Sequence, residues 1–222
     1  MKYHMIIPTY KRPDKVIRLI KSIEDTIGDR IKDLKMFIVF DNNDINGLRE
    51  FMNKYSFNEL KVYVGFSKTQ KGAFSIWNEH MMNYFTCDGV FCSNDHCYFI
   101  NGGIKHAIEE FEKHCSSTDY IMTLTQHTRQ KDNAFIIGKE FSRKFEKIGF
   151  FYPEYKVHAA DTEISDLAVN LGKHYMPEEI IWVHNKEEHT DETYKGSVPV
   201  HRNSDVKIWE ERRKKGMLWG LE

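Results

Sequence analysis

Short apolar runs alternate with amphipathic segments through the first 130 residues, and this rhythm constrains the fold more than any other feature of the chain. Apolar runs typical of buried strands lie at 3–8, 35–41, 60–66, 89–95 and 119–126. Segments with the apolar spacing of helices lie between them, at 13–26, 46–55, 72–85 and 102–115. Strands that alternate with helices form a parallel sheet covered by helices on both faces. We therefore predict an α/β fold with a mostly parallel sheet.

The rhythm changes after about residue 130, where the pattern becomes mixed. Strands are predicted at 133–138 and 179–184, helices at 139–149, 161–172 and 205–216, and an aromatic-rich loop at 150–160. The chain has no internal repeat and no low-complexity linker that would separate two domains. We expect one domain with two functional lobes.

Composition and charge exclude several classes of protein. The chain has 222 residues, of which 41% are hydrophobic and 29% charged, so it can bury a core of ordinary size. Its formal net charge of -1 gives no overall attraction to DNA or to an anionic membrane. Because the chain shows no signal peptide and no apolar run of roughly 18 residues, we expect a cytoplasmic protein without a transmembrane segment.

The four cysteines do not have the spacing of a zinc site. They are Cys87, Cys92, Cys97 and Cys115, and the first three follow a C-x4-C-x4-C pattern. We expect them to be small buried side chains in a reducing compartment.

Polar groups follow three of the predicted strands, at 8–10, 41–44 and 94–96. The ligand crevice of an open α/β sheet lies outside the carboxyl ends of its strands, so these groups are expected to meet at one site. The chain contains neither G-x-G-x-x-G nor G-x-x-x-x-G-K-[ST], so the sequence indicates neither a dinucleotide-binding turn nor a P-loop.

Six segments, in order, resemble glycosyltransferases of the GT-A fold, close to the inverting family 2 group. They extend over roughly residues 3–185 and read MIIPTYKRPDKVIRLIKSI, FIVFDNND, KTQKGAFSIWNEHM, GVFCSND, GFFYPEYKVHAADTEISDLAVNLGK and EIIWVHN. The resemblance implies a Rossmann-like GT-A sheet and the transfer of a sugar from a nucleotide-diphosphate donor to an acceptor hydroxyl, with inversion. It implies a single domain over 1–222, with a nucleotide-sugar-binding half at 1–100, a mixed acceptor-side half at 101–200 and a C-terminal helix and tail at 201–222.

The resemblance also assigns the donor site. Its nucleotide-sugar-binding residues are Pro8, Thr9, Tyr10, Asp41, Lys71, Gly72 and Asn94. Asp41 is expected to contact the base or ribose, and Asn94 to hydrogen-bond the ribose. The alternative for Asp41 is a turn-forming role in the Asp-Asn-Asn-Asp run. Lys71, like Lys68, is alternatively an ordinary surface lysine, and Trp77 is expected to be a core aromatic.

GVFCSND occupies the place of the family's Asp-x-Asp signature, and EIIWVHN resembles the strand that ends in a metal-binding histidine. The resemblance thus makes Asp95 and His184 ligands of Mn²⁺ or Mg²⁺, with His96 as a neighbouring candidate. Such a cation neutralises the departing pyrophosphate as a Lewis acid, and an imidazole ligand suits Mn²⁺ better than Mg²⁺. The family has two or more acids here, whereas this chain has one. The alternatives are a strand-end turn residue for Asp95 and a half-buried histidine for His184.

Asp161 is the candidate catalytic base. The Glu-Asp pair of the family appears here as Ala160-Asp161, and a carboxylate at a helix start suits removal of a proton from the acceptor hydroxyl. The alternative is a helix N-cap. Glu163 is the reserve candidate for the base, and Tyr152 and Tyr155 are candidates for a wall that stacks against an acceptor sugar.

Two other functions remain open at this point. A sugar-phosphate nucleotidyltransferase also uses an α/β sheet and a metal, although it would be expected to have a Gly-rich loop after the first strand. A non-catalytic nucleotide-sugar-binding module would explain the reduced number of acids. The polar segment 125–133 is a candidate loop over the donor. The acceptor is a glycan, a lipid carrier, a protein or a hydroxylated nucleobase.

Overall fold

The structure is a computed structural model that describes residues 1–68, 72–84, 86–124, 134–146, 148–179, 182–184 and 198–219. Its strands are β1 (Tyr3–Thr9), β2 (Leu34–Phe40), β3 (Lys61–Phe66), β4 (Gly89–Cys92), β5 (Cys97–Phe99), β6 (Ile121–Thr123), β7 (Phe135–Gly138), β8 (His174–Tyr175) and β9 (Trp182–His184). Its α-helices are α1 (Pro13–Ile27), α2 (Ile45–Lys54), α3 (Ala73–Tyr84), α4 (Gly103–His114), α5 (Lys139–Arg143), α6 (Ala160–Asn170) and α7 (Val198–Lys214). A 3₁₀ helix, Gly28–Asp33, follows α1.

The main sheet has the strand order β3-β2-β1-β4-β7-β6-β8. Strand β1 pairs in parallel with both β2 and β4, and β2 pairs in parallel with β3. Strand β7 is antiparallel to its neighbours β4 and β6, whereas β8 is parallel to β6. The predicted α/β fold with a mostly parallel sheet and a mixed second half is confirmed. Strands β5 and β9 form a separate antiparallel pair.

Two apolar layers cover the two faces of the main sheet. Met5 and Ile7 of β1 pack with α1 and α4 on one face. Ile6 points to the other face, where it packs in a cluster with Trp77 of α3 and Ile164 of α6. This alternation follows from the pleat of a strand, which sends successive side chains to opposite faces. The four cysteines are buried free thiols, as expected.

Several boundaries differ from the predictions. Strand β4 ends at Cys92, so the polar residues after it lie in a turn rather than in the strand. Helix α5 ends at Arg143, because Phe141, Phe145 and Phe150 pack against one another and draw the chain into turns. Helix α7 starts at Val198, seven residues before the predicted start at 205. The short strands β5 and β8 were not predicted.

In the part of the chain that the structure describes, no helix combines the length and apolar character needed to cross a membrane.

Candidate functional site

The residues that follow three strands converge at one edge of the sheet. Strand β1 lies between β2 and β4, so the segments that leave these strands are neighbours. The backbone N–H of Asp41 donates to the carbonyl oxygen of Thr9 at 3.1 Å. The hydroxyl of Thr9 donates to Oδ2 of Asp95 at 2.8 Å. Segments 8–10, 41–44 and 94–96 therefore lie together at one edge of the sheet, as the parallel topology predicted.

Asp95 is the most strongly held of these residues. Its side chain is buried, and its Oδ1 accepts from Nη1 of Arg12 at 3.3 Å and contacts Nδ1 of His96 at 3.0 Å. Burial raises the pKa of Asp95, but the His96 hydrogen bond and the charges of His96 and Arg12, with the Thr9 hydroxyl, outweigh it and keep that pKa below its ordinary value. Asp95 is consequently an anion at neutral pH.

The pairing of β5 with β9 brings His184 to the same place. In their antiparallel register Cys97 lies opposite His184, so His184 is adjacent to His96 as well. The Nε2 atoms of His96 and His184 are 2.5 Å apart, and their ring centroids are 4.6 Å apart. This cluster of Asp95, His96 and His184 is called the two-histidine site below.

The two-histidine site has a donor set that suits a divalent cation. Since ionised Asp95 can only accept, Nδ1 of His96 carries the hydrogen between them, and Nε2 of His96 is left to act as a ligand. A sulfur atom is also near, because Sγ of Cys97 and ligand atoms of both histidines lie within 4.8 Å of one another. Burial raises the pKa of Cys97 well above its ordinary value, however, so this thiol stays protonated and is a poor ligand.

Two imidazole nitrogens remain, and imidazole ligands favour Mn²⁺ over Mg²⁺. The Asp95 carboxylate contacts Nδ1 of His96, on the opposite edge of the ring from Nε2, so in this geometry it orients the ring instead of lying beside the two Nε2 atoms. His96 is central to this set, although the sequence indicated it only as a neighbour of Asp95. Its contact with His184 depends on a strand pairing that no local pattern indicated.

Asp41 offers an unused acceptor beside the two-histidine site. It is 9% exposed, and its Oδ1 has no hydrogen-bond partner among the described residues. Burial raises the pKa of Asp41, although hydrogen bonds from the backbone of Asn43 and Asn42 oppose this effect. A buried carboxylate oxygen without a partner is uncommon and is well suited to a donor group on a ligand.

Asp41 also has the contacts of the turn-forming role given as its alternative, because the backbone of Asn43 and Asn42 hydrogen-bonds its carboxylate. Asp44, at the end of the same run, caps helix α2. Its Oδ1 accepts from the backbone N–H of Gly47 at 3.0 Å in the first turn of α2, and its Oδ2 accepts from the backbone N–H of Lys11 at 2.6 Å. Asp44 thereby ties the loop after β1 to the start of α2.

The other donor-site candidates differ in position. Pro8 is half-buried inside β1, whereas Tyr10 lies in the following loop with the Lys11 ammonium 5.0 Å from its ring centroid. Asn94 is half-buried in the turn between β4 and Asp95. The candidate loop 125–133 lies outside the described residues.

At Gly72, the residue before α3, the backbone lies close to the loop that leads to α6 in the second half of the chain. The φ angle of Gly72 is +80°, and a Cβ atom there would overlap the carbonyl oxygen of Lys156, so the position requires glycine. Lys71 lies outside the described residues, and Lys68 is an exposed residue paired with Glu79 at 3.3 Å. Trp77 is a core aromatic, as expected, and its indole N–H donates to the carbonyl of Ile6 at 3.1 Å.

Asp161 lies in the first turn of α6 and is half-buried. The N-cap of α6 is Ala159, so the reading of Asp161 as an N-cap is wrong. The Oδ1 atom of Asp161 accepts from the backbone N–H of Thr162 at 3.0 Å. A carboxylate in this turn interacts favourably with the positive end of the helix dipole.

Glu163 faces the C-terminal segment of the chain. It is 3% exposed, and its Oε1 accepts from Nε of Arg212 at 3.0 Å and from the backbone N–H of Trp219 at 3.2 Å. Because this oxygen already holds a buried arginine, Glu163 is better suited to structure than to its reserve role as the base.

The two tyrosines proposed as an acceptor wall have different environments. Tyr155 is buried in the core, whereas Tyr152 is half-buried, with the guanidinium of Arg212 3.9 Å from its ring centroid. Both line a cavity of about 100 Å³, together with Phe74, Ser75, Asn78 and Pro153. The cavity lies between the first turns of α3 and the loop that leads to α6.

A sheet of this topology with a ligand site at its strand ends is typical of the GT-A class. A family model described as glycosyl transferase family 2 matches residues 5–164, and the chain belongs to this family. The resemblance stated from the sequence is confirmed. None of the curated proteins matches the chain.

Solved structures support the fold. Staphylococcus aureus TarS 1-349 in complex with UDP-GlcNAc is 14% identical with a TM-score of 0.64, over 82% of this chain and 58% of that one. The mannosyltransferase PcManGT of Pyrobaculum calidifontis in complex with GDP-Man and Mn²⁺ is 12% identical with a TM-score of 0.62, over 81% and 56%. GalNAc-T7 with UDP, GalNAc and Mn²⁺ is 11% identical with a TM-score of 0.61, over 80% and 44%.

At these identities the likeness establishes the GT-A fold and nothing finer. The chain spans between 44% and 58% of the lengths of these three proteins.

Proposed function

We propose that this protein is a nucleotide-sugar-dependent, cation-assisted, inverting glycosyltransferase. The observation that carries this proposal is the two-histidine site at the carboxyl ends of the strands, beside the unpaired oxygen of Asp41. The ligands of the structural neighbours support it, since the TarS structure contains UDP-GlcNAc and the PcManGT structure contains GDP-Man with Mn²⁺.

The first half of the chain, 1–100, binds the donor in this proposal. Asp41 accepts a hydrogen bond from the base or ribose, and Asn94 contacts the ribose. The residues that line the rest of the nucleotide sugar are Pro8, Thr9, Tyr10, Lys71 and Gly72. The acceptor-side half, 101–200, supplies the base and also His184, so the cation site is shared between the halves.

In this proposal the Nε2 atoms of His96 and His184 hold the cation, which is Mn²⁺ or Mg²⁺, and Asp95, the acid expected as a ligand, acts on the site through its hydrogen bond with His96. When bound, it neutralises the negative charge of the departing nucleoside diphosphate as a Lewis acid. Hydrogen bonds within the protein fix the orientation of the ligand side chains. Thr9 and Arg12 orient the Asp95 carboxylate, and Asp95 in turn orients the His96 ring.

Asp161 acts as the base on the acceptor side. Its carboxylate takes the proton of the acceptor hydroxyl while the hydroxyl oxygen attacks the anomeric carbon of the donor. The bond from that carbon to the phosphate oxygen breaks, and the nucleoside diphosphate leaves with the electron pair. Attack opposite to the leaving group inverts the configuration at the anomeric carbon.

The buried free thiols support a reducing location for this reaction, such as the cytoplasm. The transferred sugar in this proposal is a hexose or a pentose.

A thermal-shift screen of nucleotide sugars tests the proposal. A donor at about 100 times its dissociation constant should stabilise the protein by roughly 2.7 kcal/mol in the presence of Mn²⁺. Slow release of free sugar from a stabilising donor supports a transferase. Pyrophosphate exchange would instead identify a sugar-phosphate nucleotidyltransferase. Binding with neither activity would identify a non-catalytic binding module, and stabilisation by no nucleotide sugar at all would contradict the proposal.

A further inference from the structure

A carboxylate on the C-terminal helix α7 binds the loop that leads into α6. Asp205 is fully buried, and its carboxylate accepts from the backbone N–H groups of three consecutive residues. The distances are 3.1 Å from Lys156, 2.8 Å from Val157 and 2.9 Å from His158, all to Oδ2. A buried charge is unfavourable unless it is hydrogen-bonded, and this arrangement satisfies it with the backbone of one loop.

The opposite side of the same loop contacts the donor half. The carbonyl oxygen of Lys156 lies 2.4 Å from the position that a Cβ atom of Gly72 would take, so the loop and the residue before α3 are in close backbone contact. Segment 156–158 is thus held between Asp205 on one side and Gly72, a proposed donor-site residue, on the other.

The loop then determines how α6 begins. His158, whose N–H binds Asp205, is followed by Ala159, which has a φ angle of +69°. Residues other than glycine rarely adopt this conformation, and it persists where the surrounding structure fixes it. Asp161 follows two residues later, so the direction in which its side chain points depends on the backbone that Asp205 holds.

The rest of α7 and its tail hold different parts of the acceptor side. Arg212 pairs with Glu163 in the body of α6, and the indole N–H of Trp219 donates to the carbonyl of Gly149 at 2.8 Å. These contacts anchor the helix body and the preceding turn. Asp205 is therefore distinguished by its contact with the entry to α6.

We propose that Asp205 is a positioning residue for the transfer reaction. It fixes the backbone at 156–158 so that Asp161 faces the donor segment that starts at Gly72. This inference rests on the proposed function of Asp161, and its structural part stands independently of the reaction.

The variant Asp205→Asn tests the inference. An asparagine keeps the shape of the side chain but removes the negative charge that three N–H groups share. If its oxygen occupies the Oδ2 position, its NH₂ group replaces Oδ1 opposite the N–H of Lys156. Amide hydrogen exchange in 156–164 should then increase at least tenfold, whereas exchange in β1 and β2 should be unchanged. Unchanged exchange in 156–164 would overturn the inference, whether or not the protein proves to be a transferase.

Turnover gives the second measurement. With UDP-GlcNAc or GDP-mannose and Mn²⁺, whichever the parent protein hydrolyses, Asp205→Asn should lower kcat at least tenfold and leave the donor KM and the Kd for UDP or GDP within twofold. A loss of nucleotide affinity that parallels the loss of kcat would indicate general damage and overturn a positioning role. A kcat within twofold of the parent value would also overturn it.

Glu112→Gln is the matched control. Glu112 pairs with Arg30 and contacts the Tyr3 hydroxyl, at the end of β1 opposite to the site. It should lower the melting temperature while kcat stays within twofold of the parent value.

If Asp205→Asn does not fold, hydrogen exchange of the parent protein tests the structural part of the inference. The backbone amides of Val157 and His158 must then exchange as slowly as those of β1. Fast exchange there would overturn the inference. A parent that acts on no donor would refute the proposed function and leave the exchange result to judge Asp205.

Discussion

The Nε2 atom of His96 lies 2.5 Å from the Nε2 atom of His184, although 88 residues separate the two in sequence. Strand β9 brings them together, because it pairs with β5 immediately after the turn that carries Asp95. Two imidazole nitrogens at this distance must share a hydrogen, and a cation bound by both would replace that hydrogen and move the nitrogens farther apart. Neither histidine lies in the segments that follow β1 and β2, so the pair extends the strand-end site toward the second half of the chain.

The first prediction concerns this pair. His96→Ala and His184→Ala should each weaken Mn²⁺-dependent binding of UDP or GDP at least tenfold, because each removes one nitrogen ligand. Chelation of the cation from the parent protein should have a similar effect, as should Asp95→Ala. Isothermal titration calorimetry with and without a chelator gives the comparison. His106→Ala, at a surface histidine paired with Glu179, is the control and should bind as the parent does. Equal affinity with and without chelator would contradict a cation-dependent site.

The second prediction contrasts two aspartates of one loop. Asp41→Ala should raise the donor KM with little change in kcat, because it removes a contact to a part of the donor that does not react. Asp44→Ala should instead lower stability by about 1 kcal/mol, since it removes the cap of α2. Steady-state kinetics and urea denaturation of both variants separate the two roles. A large loss of kcat at constant KM in Asp41→Ala would show that the nucleotide site has been misplaced.

The third prediction concerns the base. Asp161→Asn should fold, bind the donor normally and lose transfer by roughly 10² to 10⁴, the usual contribution of a general base. Asp166→Asn on the same helix should transfer at the parent rate. The measurements are melting temperature, donor affinity and transfer rate with an acceptor identified by screening. A folded Asp161→Asn with near-parental transfer would refute the assignment, and a product that retains the anomeric configuration of the donor would refute inversion.

The fourth prediction concerns Glu163. Glu163→Gln should destabilise the protein by about 3–5 kcal/mol, because it leaves the guanidinium of Arg212 buried without its anionic partner. At temperatures where the variant is folded, its kcat should stay within a few-fold of the parent value. Thermal denaturation and initial rates decide this. A hundredfold loss of kcat in a folded Glu163→Gln, with Asp161→Asn active, would return Glu163 to the role of base.

The fifth prediction follows from two buried histidines on the sheet face that α3 covers. His4 and His80 are 5% and 9% exposed, and their rings contact Phe37 at centroid distances of 4.9 and 4.3 Å. Burial, assisted by the charge of Lys35 for His4 and of His4 for His80, lowers the pKa of each to about 4 from the ordinary value of 6.5.

The unfolded chain therefore binds protons first as the pH falls, so the stability that these groups contribute is present above pH 6.5 and is lost between pH 6.5 and 4. The loss at pH 5 should be about 2 kcal/mol per histidine. Urea denaturation of the parent protein and of His4→Phe at pH 7 and pH 5 measures it. The variant should lose correspondingly less stability between the two pH values. An identical pH dependence in the variant would show that His4 does not titrate in this way.

The sequence predicted the sheet and one edge of the site because both depend on local periodicity. The runs before Thr9, Asp41 and Asp95 are apolar and the residues after them are polar, and parallel strands bring their carboxyl ends to one edge. The pairing of β5 with β9 could not be predicted in this way. Each has three residues, and the register between strands so distant in sequence is set by tertiary packing rather than by a local pattern.

The burial of Asp205 and its contact with the 156–158 backbone could not be predicted from the sequence either. Asp205 lies in a segment rich in charged residues, 202–215, where an exposed helix face is the usual interpretation. Nothing in that pattern distinguishes the one carboxylate that is fully buried and binds the 156–158 backbone. The change of Glu163 from candidate base to ion-pair partner has the same cause, since its partner Arg212 is 49 residues away in sequence.

The pairing of β5 with β9 also sets an order of events in synthesis. A growing chain can assemble β1, β2, β3 and β4 and present Thr9, Asp41 and Asp95 while residue 184 is still inside the ribosome. The proposed cation site lacks one of its nitrogens until β9 emerges and closes a long loop onto β5, a step that is slow compared with local helix formation. Under the proposed function, nucleotide binding that depends on the cation is thus withheld from partly made chains and begins only when the second half of the chain has been built.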